Sequence, residues 1–293
     1  MKLLTFKKDL YSSREVWILS GDGHRVIPLF DFGVKYKSIN ELIVKISYDE
    51  MAYINKQLDS KQGMDYKSII KEAPIPDPMQ DIICLGMNYS AHAEEAAKYN
   101  SDYEVEKPKP VYFSKRVNYA VPDGGCIDSH KDIVHELDYE VELAIIIGQD
   151  ARNVRPEDVS RFIFGYSIIN DFSARDLQLA HKQWYFGKSL DGFTAFGPWI
   201  VTQDEMPDAE KSDIKCYVNG ELRQNSNTPL LKYNISHIIS ELSSGMTLKA
   251  GTIIATGTPA GVGFGFNPPR FLKSGDVVKC EIQGIGAIEN TVE

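Results

Sequence analysis

An eight-residue stretch with strict alternation restricts the fold of this chain more than any other sequence feature. In residues 136–143 (ELDYEVEL) every even position is acidic and every odd position is apolar. Because side chains of a β-strand point alternately to opposite faces, this pattern predicts a half-buried strand. The next residues, 144–147 (AIII), make the acidic face apolar. We therefore expect Glu140 and Glu142 to lie at the edge of the hydrophobic core.

Most of the chain beyond residue 80 consists of short apolar runs separated by glycine and proline. The runs that predict strands are residues 82–85, 143–147, 162–169, 253–255 and 277–282. Asn219-Gly220 favours the positive φ angles of a type I′ turn and predicts an antiparallel hairpin. Helices are predicted at residues 156–162, after Ser173, and at residues 235–242. Since strands and helices do not alternate regularly, we expect a mixed, β-rich α+β fold rather than a doubly wound sheet.

Three prolines within five positions divide the chain. Residues 73–78 read APIPDP, which excludes regular helix and removes hydrogen-bond donors from any sheet. We therefore predict a small N-terminal α+β domain at residues 1–72, a proline-rich linker at 73–80 and a catalytic domain at 81–293. In the first domain, Ser38 and Glu41 have the spacing of a capping box, which predicts the start of a helix.

The composition excludes several classes of protein. With 293 residues and 43% hydrophobic side chains, the chain is too apolar to be disordered. A formal net charge of −9 argues against nucleic-acid binding. No uncharged run approaches the ~18 residues of a membrane span and the first residues lack a secretory signal, so we expect a cytoplasmic protein that binds no membrane. The sequence contains four widely spaced cysteines, which we expect to be core thiols: Cys84, Cys126, Cys216 and Cys280.

Glu140 and Glu142 are candidate metal ligands. Side chains two residues apart on a strand stand about 6.6 Å apart. At an effective dielectric constant of 20, two charges at that distance repel by about 2.5 kcal/mol. A divalent cation would remove this penalty, and carboxylate oxygens favour Mg²⁺ or Mn²⁺ over Zn²⁺. Asp171, where the apolar run 162–169 has just ended, is the third candidate. The alternatives are a solvated acidic strand face and an ordinary aspartate beside a helix.

Five motifs occur in the order found in the fumarylacetoacetate hydrolase (FAH) superfamily, which the chain resembles from about Pro78 to its end. They are NYSAHAEE at 88–95, LDYEVEL at 137–143, NDFSARDLQ at 170–178, GKS at 187–189 and TGTPAGVG at 256–263. The resemblance implies an FAH-type β-sandwich roll, a homodimer and one Mg²⁺ or Mn²⁺ per subunit. Residues 1–72 resemble the variable N-terminal domain of longer bacterial members.

The resemblance also implies roles for individual residues. It matches the family's metal ligands to Glu140, Glu142 and Asp171. Its catalytic residues correspond to His92, Glu95 and Lys188, and its substrate-contacting residues to Arg175, Gln178 and Thr258. Fumarylacetoacetases proper carry a further metal-binding aspartate before the histidine, whereas residues 84–89 (CLGMNY) contain no acid. This difference favours the acylpyruvase, oxaloacetate decarboxylase and diketo-acid hydrolase branch.

His92 and Glu95 have the spacing of a general-base pair. Residues three apart on a helix are neighbours, so the carboxylate can orient the imidazole while its other nitrogen takes a proton from water. Residues 91–110, acidic and alanine-rich, predict a mobile lid that carries this pair over the metal. Lys188 does not belong to a phosphate loop, because position 182 is lysine, but it could stabilise an enolate. The backbone N–H groups of residues 256–265 could hold a substrate carboxylate, or form a purely structural turn.

Together these features predict a divalent-metal enzyme that acts on a small 2-oxo or 2,4-diketo acid. Hydrolysis of a C–C bond in a 2,4-diketo acid, releasing pyruvate or a related oxo acid, is the preferred reaction. Two alternatives use the same site: decarboxylation of oxaloacetate and isomerisation of 2-hydroxyhepta-2,4-diene-1,7-dioate. An alternative of another class is a non-catalytic dimer that binds a metal and an oxo acid.

Overall fold

Short strands form most of the architecture. The computed structural model describes residues 1–100 and 109–293. Within these ranges the α-helices are α1 (Ile39–Lys45), α2 (Tyr48–Gln57), α3 (Ser90–Tyr99), α4 (Arg175–Ala180), α5 (Tyr185–Lys188) and α6 (Ile235–Gly245). The strands are β1 (Lys2–Lys7), β2 (Glu15–Leu19), β3 (Arg25–Pro28), β4 (Met64–Asp65), β5 (Ile70–Lys71), β6 (Ile82–Gly86), β7 (Val111–Lys115), β8 (Cys126–Ile127), β9 (Leu137–Asp138), β10 (Val141–Ile147), β11 (Ile163–Asp171), β12 (Ser173–Ala174), β13 (Thr194–Thr202), β14 (Asp213–Val218), β15 (Glu221–Asn227), β16 (Ile253–Ala255), β17 (Val277–Ile282) and β18 (Gly286–Val292).

The strands form two large sheets and one two-stranded pair, β12-β9, and β10 is a central strand of the larger sheet. The larger sheet has the order β4-β3-β2-β1-β13-β11-β10-β16-β6-β7, with β5 beside β1, and the smaller has the order β15-β14-β17-β18-β8. Leu143 and Ile145 of β10 belong to the core cluster that the smaller sheet shares. Ala144 and Ile146, on the opposite face, pack in a second cluster with residues of α1. The expected β-rich α+β fold is confirmed.

The alternating segment 136–143 differs from the half-buried strand that its pattern predicts. It is interrupted, because β9 ends at Asp138 and β10 begins only at Val141. Both of its faces are covered: Glu140 and Glu142 are 4% and 1% exposed. The expectation of a half-buried strand is therefore wrong, and so is the alternative of a solvated acidic face.

The larger sheet contains strands from both sides of the proline-rich segment. β1 lies antiparallel to β13, with Leu3 opposite Ile200, so the first strand of the chain extends the sheet that contains β10 and β11. Residues 73–80 contain neither helix nor strand, as their prolines predict. The division into an N-terminal domain and a catalytic domain stays a prediction, with a continuous sheet across its boundary.

The local turn and capping signals were mostly correct. Asn219 and Gly220 have φ angles of 52° and 78° and join β14 to β15, which confirms the hairpin. Ser38 accepts a hydrogen bond from the Glu41 N–H, but Glu41 accepts from a different backbone N–H, so only half of the capping box forms. Ser173 lies in β12, and α4 begins two residues later than expected.

The remaining helix and cysteine predictions were partly correct. Residues Pro156–Phe162 form a 3₁₀ helix, and α6 begins after Asn234, whose side chain caps it. Cys84, Cys216 and Cys280 are buried free thiols, whereas Cys126 is exposed and therefore is not a core thiol. Among the described residues, no helix is both long enough and apolar enough to cross a membrane.

Candidate metal centre and active site

The three predicted metal ligands lie side by side. β10 and β11 are antiparallel, with Val141 opposite Asn170, so the start of one strand meets the end of the other. Two hydrogen bonds fix this junction: Glu140 N–H donates to Asn170 Oδ1 (2.9 Å), and Asp171 N–H donates to Glu140 O (2.9 Å). Carboxylate oxygens of Glu140, Glu142 and Asp171 lie within 4.8 Å of one another, and all three residues are buried.

Three buried cations surround these carboxylates. Lys188 Nζ donates to Glu140 Oε2 (2.7 Å) and to Asp171 Oδ2 (2.8 Å). Arg175 Nη2 lies 2.6 Å from Glu140 Oε1. Lys115 Nζ donates to Asp171 Oδ1 at 2.5 Å. Lys188 and Arg175 were candidates from the sequence, but Lys115, at the end of β7, carried no sequence signal.

The two glutamates have opposite protonation tendencies. Burial alone would raise the pKa of Glu140, but the charges of Lys188 and Arg175 lower it to about 2. Burial raises the pKa of Glu142, and the negative charges of Asp171 and Glu140 raise it further. Glu142 forms no ion pair with a described residue, and its Oε2 accepts a hydrogen bond only from Gly257 N–H (2.7 Å). Glu142 is therefore the carboxylate whose charge the protein itself leaves uncompensated.

This donor set fits a hard divalent cation. All three ligand candidates offer carboxylate oxygens, which Mg²⁺ and Mn²⁺ prefer. A bound cation would also compensate the charge of Glu142. The thiol of Cys84 is buried, and burial together with the charges of Asp171 and Glu142 raises its pKa, which disfavours the thiolate that soft metals require.

The predicted pair on α3 forms a contact. His92 Nδ1 lies 3.3 Å from Glu95 Oε2, and the histidine is 4% exposed. Glu95 also accepts the N–H of Gly261, at 3.0 Å and 3.2 Å from its two oxygens. His92 Nε2 forms no hydrogen bond with a described residue, so it is available as a proton acceptor. Of the predicted lid, residues 101–108 lie outside the described residues, and α3 carries the pair.

A narrow cleft joins the pair to the carboxylates. Seven of the nine predicted site residues line it: His92, Glu140, Glu142, Arg175, Gln178, Lys188 and Thr258. Asp171 and Glu95 are not among the lining residues, but they contact Lys188 and His92, which are. The apolar walls include Leu85, Phe113, Trp184 and Phe264. Polar side chains that converge between apolar walls are typical of a small-molecule site.

Arg175 and Gln178 lie on one turn of α4, and both side chains line the cleft. Arg175 Nη1 donates to Gln178 Oε1 at 3.0 Å, and its Nε donates to Asp138 Oδ2 at 2.9 Å. Asp138 is fully buried and also accepts the N–H groups of Gly263 (2.6 Å) and Phe264 (3.3 Å). Asp138 was not predicted as a site residue, because in the sequence it is only one of the four acids of the alternating segment.

The glycine-rich stretch binds carboxylates, but not in the way its sequence suggested. Its N–H groups at Gly257, Gly261 and Gly263 donate to Glu142, Glu95 and Asp138, all of them carboxylates of the chain itself. The hydroxyl of Thr258 donates to Val141 O (2.9 Å) and accepts from Gln224 Nε2 (2.7 Å). The stretch thus positions the acidic residues of the site.

Comparison with known proteins identifies the class. The family model of the fumarylacetoacetate (FAA) hydrolase C-terminal domain matches residues 81–293, so the chain belongs to this family, an enzyme superfamily. It is 43% identical over 221 residues to oxaloacetate tautomerase YisK of Bacillus subtilis, covering 75% of this chain and 72% of that protein. It is 36% identical over 296 residues to mitochondrial oxaloacetate tautomerase fahd2 of Xenopus laevis, covering 100% of this chain and 90% of that protein.

Solved structures support the same assignment. Fumarylacetoacetate hydrolase from Exiguobacterium antarcticum superposes with a TM-score of 0.82 at 37% identity, covering 100% of this chain and 99% of that one. Maleylpyruvate hydrolase from Sphingobium sp. SYK-6, solved with manganese(II) and pyruvate, has a TM-score of 0.78 at 28% identity, covering 100% and 98%. The family resemblance predicted from the five motifs is thereby confirmed, and with it the FAH-type fold.

Proposed function

We propose that this chain is an Mg²⁺- or Mn²⁺-dependent enzyme that transfers a proton at C3 of a small 2-oxo acid, with keto–enol tautomerisation of oxaloacetate as its main reaction. The observation that carries the proposal is one narrow cleft that brings together an all-oxygen carboxylate triad and a histidine whose Nε2 forms no hydrogen bond with a described residue. The names of the two curated relatives support oxaloacetate as the substrate, and they are the reason for preferring tautomerisation to the hydrolysis that the sequence alone favoured.

Glu140, Glu142 and Asp171 would hold the cation. When bound, it supplies a Lewis acid that polarises the 2-oxo group and makes the neighbouring C3–H more acidic. Lys188 keeps its charge despite burial, because Asp171 and Glu140 raise its pKa, and so contributes positive potential where the enolate oxygen develops. Gln178 Nε2 forms no hydrogen bond with a described residue and offers a donor for a substrate carboxylate, beside Arg175.

The proton carrier is His92. Glu95 accepts the Nδ1–H and thereby selects the tautomer in which Nε2 is unprotonated. In the direction from enol to keto form, Nε2 accepts the proton of the C2 hydroxyl and the same imidazole delivers a proton to C3. The reverse direction removes the proton from C3 and returns it to the oxygen. No water is consumed, so one buried base and a closed cleft suffice.

Hydrolysis of a 2,4-diketo acid is the second candidate. The observation that favours it is the likeness over the full chain to a fumarylacetoacetate hydrolase and a maleylpyruvate hydrolase. The same Nε2 would then deprotonate a water molecule that attacks C4, and the C3–C4 bond would break. Decarboxylation of oxaloacetate would need neither the water nor the base.

One set of assays separates these reactions. With Mg²⁺ or Mn²⁺ present, the decay of enol-oxaloacetate absorbance reports tautomerisation, while pyruvate release from oxaloacetate and from acylpyruvates reports decarboxylation and hydrolysis. We expect catalysed enol decay that is lost with a chelator and reduced ~10²-fold or more in kcat by His92→Ala. Pyruvate release without enol decay would overturn tautomerisation. Absence of turnover for every acid would favour the non-catalytic binding dimer.

We further propose that the chain acts as the homodimer that the resemblance implies, which a measurement of molar mass in solution would test. A cytoplasmic location stays a prediction.

A further inference from the structure

Glu95 is enclosed by the glycine-rich loop as well as by His92. Its carboxylate accepts the Gly261 N–H on one side and contacts the imidazole on the other. Gly265 lies directly against it. A Cβ atom added to Gly265 would overlap the Glu95 carboxylate, and its three nearest neighbours would all be atoms of the Glu95 side chain. The carboxylate therefore occupies the space that any other residue at position 265 would fill.

The loop that carries Gly265 is fixed on both sides. Asp138 accepts the N–H groups of Gly263 and Phe264 at 2.6 Å and 3.3 Å. Gly265 N–H donates to Val262 O (3.0 Å), and Gly263 O accepts from Arg270 N–H (2.8 Å). The Glu95 side chain, by contrast, rotates about single bonds and is 14% exposed. An added methyl group would therefore displace the carboxylate rather than the loop.

We propose that Gly265 is a positioning residue of the His92–Glu95 pair: by having no side chain, it leaves the space in which Glu95 is held between the Gly261 N–H and the imidazole. The expected loss of kcat on changing Gly265 rests on the proposed function of the pair. The expected displacement of the Glu95 side chain does not. Because the three atoms nearest to an added Cβ all belong to Glu95, we expect the carboxylate triad and its cations to stay in place when Gly265 is changed.

The first test is kinetic. Gly265→Ala should lower kcat to about the level of Glu95→Gln, ~10-fold or more below wild type, with KM within about twofold and unchanged Mn²⁺ affinity. Alanine is compatible with the backbone here, since Gly265 does not have a positive φ. Gly245→Ala is the matched control, because an added Cβ there meets nothing within 4 Å. A wild-type kcat for Gly265→Ala, with Glu95→Gln impaired, would overturn the proposal.

The second test needs no catalytic activity. Gly265→Ala should lower the thermal unfolding midpoint of the wild-type protein but not that of the Glu95→Ala variant, where the space is already empty. An equal loss in both backgrounds would also overturn the proposal. If Gly265→Ala alone did not fold, recovery of folding in the Glu95→Ala background would show the same coupling. A wild-type kcat for Glu95→Gln would instead refute the proposed function of the pair, and would leave the coupling measurement to decide the packing.

Discussion

The proposed site has two parts, which the protein holds in place in different ways. The buried charge cluster, formed by Lys115, Glu140, Glu142, Asp171, Arg175 and Lys188, sits at the junction of two central strands. Its side chains are at most 6% exposed, and its ion pairs measure 2.5–2.8 Å. The His92–Glu95 pair lies on a ten-residue helix, has contacts of 3.0–3.3 Å and is bordered by a glycine loop.

This difference matches two chemical tasks. Electrostatic stabilisation works best with charges that are fixed before the reaction, because no energy is then spent on reorienting them. A proton carrier must instead approach the substrate and receive and release a proton within one cycle. In the proposed reaction, the sheet junction would provide a fixed electrostatic environment, and α3 would provide the base. Variants of the ion-paired residues of the cluster should change stability, metal binding and turnover together. Variants of Glu142, which has no ion pair with a described residue, should change metal binding and turnover without loss of stability. Variants of the pair should change turnover alone.

Asp171→Ala should have the largest effect. The carboxylate pairs with both Lys115 and Lys188, and its removal leaves two buried ammonium groups with fewer partners. Breaking a buried pair in this way costs about 3–5 kcal/mol of unfolding free energy. We expect lost turnover and a large decrease in stability, measured by denaturant unfolding of the metal-free protein. A variant with wild-type stability would show that the cluster is less tightly coupled than its distances indicate.

Glu142→Gln should separate metal binding from stability. The amide oxygen can still accept the Gly257 N–H, but the charge that raises the electrostatic energy of the metal-free cluster is gone. Loss of a residue that only orients a metal ligand lowers metal affinity or activity ~10–100-fold. Because Glu142 is itself a proposed ligand, turnover and Mn²⁺ affinity should fall by more than this. Near neutral pH the metal-free variant should be at least as stable as wild type. A destabilised variant with intact Mn²⁺ affinity would contradict the assignment of Glu142 as a ligand.

The sequence could predict which carboxylates lie close together, but not which residues bury them and compensate their charge. Glu140 and Glu142 share a face because a strand has a period of two, and Asp171 ends the neighbouring apolar run, so local pattern was sufficient. Buried ion pairs compensate the charges of Glu140 and Asp171, and the partners lie on other parts of the chain: Lys115 carried no sequence signal, and Lys188 was indicated only by the family resemblance. The same limit concealed the pairing of β1 with β13, since strand neighbours far apart in sequence are chosen by packing rather than by periodicity.

Glu95→Gln should affect the pair alone. The amide occupies the same volume but has no charge with which to orient His92, so we expect kcat to fall ~10-fold or more. Unfolding free energy should stay within about 1 kcal/mol of wild type, because the side chain is partly exposed and keeps an acceptor for Gly261. Mn²⁺ affinity should not change. A parallel loss of Mn²⁺ affinity, measured by titration calorimetry, would mean that the two parts of the site are not independent.

Acid titration should detect the cluster through Glu140. Its folded-state pKa of about 2 lies below the ordinary value, so its ion pairs stabilise the fold above about pH 4.5, and this contribution is lost as the pH falls toward 2. In metal-free buffer, wild type should therefore exceed Glu140→Gln in unfolding free energy by the largest margin near about pH 5, and the margin should shrink toward about pH 3. The exposed control Glu94→Gln should differ little from wild type throughout. If the difference in unfolding free energy between wild type and Glu140→Gln grew as the pH fell, Lys188 and Arg175 would not effectively compensate the charge of buried Glu140. The rigidity of the cluster would then have to be attributed to the ion pairs of Asp171 alone.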